Sequence, residues 1–234
     1  VVTGGLGGLG TEICKHLARA GRKVVAADLA GRADRVDEFR RETAEFNGAI
    51  RFEDLDVTDE GSCAELVRRA AGDSGGVDIL VNAAGITRDG TLRKMSSQQW
   101  RDVLTVNLDG VFHMTRQVVD GMCERGFGRI VNISSVNGQT GQFGQTNYSA
   151  AKAGMHGFTI SLAQENAKFG ITVNTVSPGY IGTEMVMAVP EEVRNKIVAQ
   201  IPTGRLGEPD EIAYAVAFFI PDEAGWITGA NLSA

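Results

Sequence analysis

Tyr148 and Lys152, in Y-S-A-A-K, stand one helical turn apart, a spacing that puts a phenol and an ammonium on one face of a helix. A free phenol, with a pKa near 10, is a poor acid–base catalyst at neutral pH, but a neighbouring ammonium stabilises the phenolate and lowers that value. Such a tyrosine can hand a proton to a carbonyl oxygen. Ser135, upstream in N-I-S-S, is suited to donate a hydrogen bond to the same oxygen. Asn107, inside V-N-L-D-G, is suited to hold a backbone kink or a water that resupplies protons to Lys152. Each residue has a plainer alternative: a Tyr/Lys pair is commonly ordinary helix surface, Ser134 and Ser135 can cap a loop, and mid-helix asparagines often bond backbone. It is their conjunction that points to carbonyl chemistry.

A second group of residues suggests what such an acid would work with. T-G-G-L-G-G-L-G, Thr3 to Gly10, lies between the end of a strand and the start of a helical pattern. Gly4, Gly8 and Gly10 let the backbone turn tightly and approach a pyrophosphate, which free N–H groups at the helix start, Leu9 among them, would hold. A tight structural turn is the alternative. Asp28 ends V-V-A-A-D, where an acid bonds the ribose hydroxyls of NAD and repels the 2′-phosphate of NADP. NAD(H) is therefore favoured, with Arg32 and Arg35 close enough to serve NADP(H); the other reading of Asp28 is a cap for the following turn. Asp56 and Val57, and Asn82, Ala83 and Gly85 in N-A-A-G, end two further strands on the same edge. Asp56 suits the adenine amino group or the start of the helix near Thr58, and Asn82 to Gly85 suit the adenosine ribose and phosphates. A nicotinamidium charge would join Lys152 in lowering Tyr148.

These residues need a frame that brings them to one edge. Short β-branched runs over 23–28, 50–56, 77–82, 129–134 and 171–177 alternate with helical patterns over 8–20, 58–71, 98–124 and 147–168. Continuous apolar strands separated by helices imply a parallel sheet covered on both faces. Pro209, followed by Asp210 and Glu211, opens one more helix. The expected fold is α/β, one doubly wound parallel sheet (Rossmann fold) with helices on both faces over 1–234, ligands at the carboxyl ends of the strands, and a substrate lid around 182–200. With 234 residues and 43% hydrophobic content, the chain fits one large domain.

The rest of the composition excludes more than it adds. A formal net charge of −6 gives no field to attract nucleic acid or anionic lipid. No run approaches the length of a membrane span. Cys14, Cys63 and Cys123 lack metal or redox spacing and read as small core residues of a cytoplasmic protein, and His16, His113 and His156 show no metal-ligand spacing. The chain opens on V-V-T-G and closes on A-N-L-S-A, so both termini are expected to be clipped.

T-G-G-L-G-G-L-G, N-A-A-G, the asparagine of V-N-L, N-I-S-S and Y-S-A-A-K, in this order, closely resemble the classical short-chain dehydrogenase/reductases. The resemblance covers essentially the whole chain. It implies Asn107, Ser135, Tyr148 and Lys152 as a catalytic tetrad, Pro178, Gly179 and Ile181 beside the nicotinamide, and a homotetramer built through the two long helices and the C-terminal edge. A catalytically silent dinucleotide-binding sensor, the reading from another class, would predict loss of Tyr148 or Lys152.

Finer matches, I-T-R-D, M-x-x-x-x-W, G-R-I-V-N-I-S-S-V-N-G-Q, G-Q-F-G-Q-T-N-Y and V-S-P-G-Y-I, resemble the branch of that family that reduces acetoacetyl-CoA for polyhydroxybutyrate synthesis. By that resemblance Asp89, Gln142, Phe143, Gly144, Gln145, Gly179 and Tyr180 line the path of the acyl-CoA thioester. Phe143 and Tyr180 offer apolar walls, and the glutamines can bond an amide-rich arm without charge. The rival branch, the 3-oxoacyl carrier-protein reductases, commonly has basic residues where this chain has Gly126 and Phe169. Pro190 stands where a basic lid residue would be expected, with Arg194 and Lys196 one turn on.

Overall fold

The computed structural model describes residues 1–31, 33–46, 48–72 and 75–234, with the backbone alone at Met185. Arg32, named above for a 2′-phosphate, lies outside the described residues.

Seven strands form one sheet in the order β3-β2-β1-β4-β5-β6-β7, where β1 is Val2–Thr3, β2 Val24–Asp28, β3 Ile50–Asp54, β4 Ile79–Asn82, β5 Gly128–Ile133, β6 Ile171–Ser177 and β7 Asn231–Ser233. Every pairing is parallel. Val2 and Thr3 sit between Ala26–Ala27 on one side and Val81–Asn82 on the other. The chain winds outward from β1 to β3 and then returns to the other side of β1, so strand order reverses between β1 and β4. Loops from both halves part at that point, which leaves a crevice at the carboxyl ends.

The helices follow the two-sided burial that a parallel sheet demands. α1 (Gly8–Arg19) packs on α10 (Pro209–Phe218) over one face, where Leu6, Ile13, Leu17, Val131, Val176, Ile212 and Val216 form a buried cluster. On the other face α3 (Glu60–Gly72) packs on α5 (Gly110–Arg125), and Leu66, Leu80, Met114, Met122, Ile130 and Val173 form a second cluster. Each fully buried Leu, Ile or Met contributes about 1.5–3 kcal/mol. The expected doubly wound sheet is therefore present. Among the described residues no helix is long and apolar enough to cross a membrane, and Cys14 and Cys63 are buried thiols pushed up to about 12, chiefly by burial.

Two elements differ from the expectation. α2 (Ala33–Glu42) was not legible, because only Val36 and Phe39 of its ten residues are buried and charge fills the rest. The helix expected over 98–124 is divided into α4 (Ser97–Leu104), a wider turn at Thr105–Asp109, and α5. α4 starts on a capping box, with Ser96 accepting from the Gln99 N–H and Gln99 from the Ser96 N–H. The remaining helices are α6 (Asn137–Thr140), α7 (Thr146–Asn166), α8 (Glu184–Met187) and α9 (Glu191–Val198). The last two occupy the expected lid.

Candidate active site

The glycine loop leaves β1 and enters α1 in a turn with almost no space inside it. Gly4 adopts φ +67°, and a side-chain carbon on Gly10 would lie 2.1 Å from the Gly4 oxygen. Gly7 N–H donates to that oxygen at 3.1 Å and Thr11 N–H to Gly7 at 2.8 Å. Gly7 itself caps α1 and has no side chain to offer, so the first N–H groups of the helix, including those of Gly8 and Leu9, face the crevice without a side-chain cap. This cradle fits a pyrophosphate.

Asp28, expected at the ribose, braces the glycine loop. Its carboxylate accepts from Leu6 N–H at 3.1 Å and from Leu29 N–H at 2.8 Å, the second being the turn cap weighed above. Arg35 grips the other side of the same residue, donating to the Leu6 oxygen; it also pairs with Glu38 and reaches Glu184 of α8 at 3.5 Å. Its guanidinium is thus already engaged. Asp56 accepts from Thr58 N–H at 2.9 Å and the Thr58 hydroxyl at 2.7 Å in the turn before α3, while the start of the helix itself is held by Asp59, which accepts from Gly61 N–H at 2.8 Å.

The Asn82 side chain does not join the crevice. It is 3% exposed and donates to Asn132 at 2.9 Å and Thr115 at 3.3 Å, inside a buried network that continues from Asn132 to Thr159 at 2.9 Å. The reason is period: the Asn82 side chain, level with Thr3 and Asn132, points to the layer that holds Thr115 and Thr159, while Ala83 points to the opposite layer and packs on the core there, and Ala84 follows beyond the strand end. The Ala83 and Ala84 N–H groups donate to Thr3 Oγ1 at 3.1 and 3.2 Å, which ties the ends of β1 and β4 together. Sequence reasoning missed Thr3; a hydroxyl at a strand end beside a glycine loop was the available signal.

Asn107 lies in the wider turn between α4 and α5. Its amide donates to Val103 O at 2.8 Å and Ile86 O at 2.9 Å and accepts from Ile86 N–H at 3.3 Å. The turn thus exchanges helical bonding for a link to the segment after β4, the kink expected of Asn107. A side-chain carbon on Gly85 would lie 2.6 Å from Asn107 Oδ1 and 3.7 Å from Lys152 Nζ. Only glycine leaves the asparagine and the lysine this close to the crevice floor.

Lys152 is buried and donates to Ile133 O at 2.7 Å. Burial lowers its pKa to about 8. Its ammonium is 5.6 Å from the centre of the Tyr148 ring. The Tyr148 phenol sits above its ordinary value, first because of burial; a hydrogen bond with Ser135 pulls it down, and the Asp89 carboxylate pushes it up. The expectation from spacing is for the phenol with a nicotinamidium charge beside it; in the chain alone, desolvation of the phenolate is the largest influence and acts upward. His156, one turn beyond Lys152, is held below its usual value by burial and by Lys152, and its ring faces Ser177 Oγ at 3.2 Å.

The other wall comes from the segment before α7. Gly144 O accepts from Gly90 N–H at 2.8 Å, and Gln145 Nε2 donates to Asp89 at 3.0 Å, so the two loops expected to line one path do meet. Gln142 is exposed, and Phe143, expected as an apolar wall, is 87% exposed and stands out into solvent. Gly141 and Gly144, at φ +73° and +80°, turn the chain so that this side chain points outward. On the lid side, Pro178 O accepts from Val136 N–H, and Tyr180 is partly buried with its oxygen bonded to Gly207. Gly179 N–H donates to Ala234 O at 2.6 Å. Ile181, expected in the segment beside the nicotinamide, has its side chain 6% exposed within the core cluster that includes α10, which leaves its backbone for that role. Thr183 abuts the phosphate loop, since a carbon on Gly8 would lie 3.4 Å from its methyl group. Pro190 caps α9, while Arg194 and Lys196 bond within the lid, to Met187 O and Glu192. Among the described residues no cluster of His, Cys, Asp and Glu could hold a metal.

A glycine cradle at the strand-order reversal, with Tyr148, Ser135, Lys152 and Asn107 across from it, is an arrangement suited to dinucleotide-dependent carbonyl chemistry. A family model described as short chain dehydrogenase matches residues 1–194. The chain belongs to the short-chain dehydrogenase family. It is 55% identical over 232 residues to an acetoacetyl-CoA reductase of Allochromatium vinosum, covering 99% of this chain and 94% of that protein. It is 54% identical over 235 residues to an acetoacetyl-CoA reductase of Rhizobium meliloti, covering 100% and 95%. A 3-oxoacyl-[acyl-carrier-protein] reductase of Haemophilus influenzae is 42% identical over 233 residues, covering 99% and 94%. As a member of this family the protein is an oxidoreductase that uses a nicotinamide dinucleotide and acts on a keto or secondary alcohol group.

Proposed function

We propose that this dehydrogenase reduces the 3-oxo group of acetoacetyl-CoA to give (R)-3-hydroxybutyryl-CoA for polyhydroxybutyrate synthesis, with NADH favoured over NADPH. The observation that carries the reading is the shared α7 face of Tyr148 and Lys152, with the buried ammonium 5.6 Å from the centre of the phenol ring and the buried Ser135 close enough to act on the phenol. It supports a single oxygen-binding point between an acid and a hydroxyl donor, and both proteins named as acetoacetyl-CoA reductases above are more than half identical to the chain.

Gly4, Gly8, Leu9 and Gly10 would hold the pyrophosphate, Asp28 the ribose, Asp56, Val57, Ala83 and Gly85 the adenosine side, and Pro178 and Gly179 the nicotinamide side. When bound, the dinucleotide supplies the hydride. Ser135 Oγ and Tyr148 Oη both bond the substrate's 3-oxo oxygen, which polarises the carbonyl. As negative charge develops there, Tyr148 gives up its phenolic proton. Lys152, with a pKa near 8, keeps most of its ammonium charge at neutral pH and stabilises the phenolate left behind. Asn107 and Gly85 keep the approach to Lys152 open for proton resupply. The closed barrier of loops 86–90 and 141–145 orients the thioester arm through backbone and amide groups.

The 3-oxoacyl carrier-protein reductase reading is kept for one observation: Lys168 lies with its ammonium 4.9 Å from the centre of the Phe169 ring, leaving a cation on the face where a carrier would dock. Gly126 on that face adopts φ +68° as the cap of α5, a position that disfavours a basic side chain. The assembly expected is a homotetramer. Phe112 and Ile160 on the long helices and Tyr214, Phe218, Trp226 and Leu232 toward the C-terminal edge are exposed apolar side chains that suit such contacts, and light scattering of the purified protein tests it.

Initial rates with NADH and NADPH on acetoacetyl-CoA, run beside an acetoacetyl carrier-protein ester, decide the substrate. Fast turnover of the CoA ester supports the proposal. Turnover of the carrier ester alone moves the protein to fatty-acid synthesis, and turnover of neither overturns both readings.

A further inference from the structure

Gln145 is held at both ends of its amide. Asn137 Nδ2 donates to Gln145 Oε1 at 3.0 Å, and Gln145 Nε2 donates to Asp89 Oδ2 at 3.0 Å. An amide has an acceptor end and a donor end. A donor from Asn137 fixes the acceptor end, so the donor end must face the carboxylate. The backbone N–H of Asn137 also donates to Ser135 Oγ at 3.2 Å. That contact occupies one lone pair of the hydroxyl and leaves its O–H free to donate toward the reacting oxygen. One partly buried residue therefore touches both neighbours of the Tyr148 phenol, directly at Ser135 and through Gln145 at Asp89.

We infer that Asn137 is a positioning residue of the reaction: its side chain orients the Gln145 amide and, through it, holds the Asp89 carboxylate beside the Tyr148 site. The inference rests on the reading of Tyr148 as the proton donor. Asp89 is exposed; its backbone is tied down on both sides, Arg88 O accepting from Asn147 and Gly90 N–H donating to Gly144 O, so the Gln145 bond is what fixes the direction of the carboxylate. The charged groups acting on this site are Lys152, from α7 itself, and Asp89, from the segment after β4. The turn after β5 and the start of α6 present the neutral Ser135 and Asn137, and on α4 the charges of Arg101 and Asp102 are engaged by Gln98. A held Asp89 works against the phenolate, which keeps Tyr148 protonated and ready for reduction at higher pH.

The test is a tyrosine titration that needs neither cofactor nor substrate. The full chain is labelled with carbon-13 at the phenolic ring carbon, and the Tyr148 signal is assigned by its absence in Tyr148→Phe. Asn137→Ala, Asp89→Asn and the double variant are compared with the parent. Asn137→Ala is expected to raise the phenolate fraction of Tyr148 at a fixed alkaline pH at least about twofold, and Asp89→Asn to raise it further. The double variant should match Asp89→Asn alone, because Asn137 acts through Asp89. In turnover, the alkaline limit of kcat for reduction should move to lower pH in Asn137→Ala with KM for the dinucleotide unchanged. A phenolate fraction unchanged in Asn137→Ala, or effects that simply add in the double variant, overturn the inference. Should Asn137→Ala fail to fold, Gln145→Ala breaks the same chain one link later and must give the same titration shift. Loss of the acetoacetyl-CoA reading would show as absent turnover in the parent and would leave this titration intact.

Discussion

The Lys152 ammonium donates to the Ile133 carbonyl at 2.7 Å while lying 5.6 Å from the centre of the Tyr148 ring. One buried cation thus belongs both to the edge of the sheet and to the acid above it. Its position explains why it is held so rigidly and why its charge is costly there.

That cost gives a signed pH dependence. The folded-state pKa of Lys152 is lowered to about 8 from 10.5, so the unfolded chain binds the extra proton between those values and stability rises with pH across that window. Below pH 8 both states are protonated and the penalty is constant. Urea unfolding of the parent and of Lys152→Met should show the parent gaining about 3 kcal/mol relative to the variant between pH 8 and 10.5. A flat difference across that range would mean that the ammonium is solvated in the folded protein.

Tyr148→Phe removes the phenolic hydroxyl that acts with Ser135 but little volume. Turnover should fall by several orders of magnitude while dinucleotide affinity changes little, because the lost interaction belongs to the transition state. Retention of turnover within about tenfold of the parent would exclude Tyr148 as the donor.

Two neighbouring glycines should respond differently to one methyl group. A carbon on Gly10 meets the Gly4 oxygen at 2.1 Å, so Gly10→Ala should cost about 3 kcal/mol or more and abolish dinucleotide binding. A carbon on Gly8 meets only the Thr183 methyl at 3.4 Å, and Gly8→Ala should fold at least as stably as the parent, with alanine's helix propensity worth up to about 1 kcal/mol. Thermal unfolding separates the two, and equal losses would show that the loop geometry has been misassigned.

Asp28 carries two duties that its variants can divide. Asp28→Ala orphans the Leu6 and Leu29 N–H groups and should cost about 1 kcal/mol of stability as well as weakening NADH binding at least about tenfold. Asp28→Asn keeps an acceptor for Leu6, loses the charge, and gives up the second acceptor to the Leu29 N–H, which is exposed and can bond water instead. Calorimetric titration should show it retaining stability while shifting preference toward NADPH; an unchanged NADH-to-NADPH ratio in both variants would leave Asp28 as a loop brace alone.

Much of the fold was legible because burial on both faces of a parallel sheet writes continuous apolar strands between helices. β6 begins and ends at the expected residues, Ile171 and Ser177. α2 was not legible, since a helix that buries only Val36 and Phe39 carries too little period to rise above its charges. The break at Thr105–Asp109 was visible only as an asparagine of uncertain use.

The sequence by itself determined the chemical inventory: the glycine spacing of the phosphate loop, the Tyr148–Lys152 helix face, and the acids and amides at strand ends. These are local properties, set by helical period and by what a backbone without side chains can do. Tertiary structure decided which way each group faces and how hard it is to ionise. It turned Asn82 and Ile181 inward and Phe143 outward, engaged Arg35 with Leu6 and Glu184, and raised Tyr148 where its neighbour on the helix would lower it. Desolvation and side-chain direction depend on what packs above and below, and those neighbours are distant in the chain.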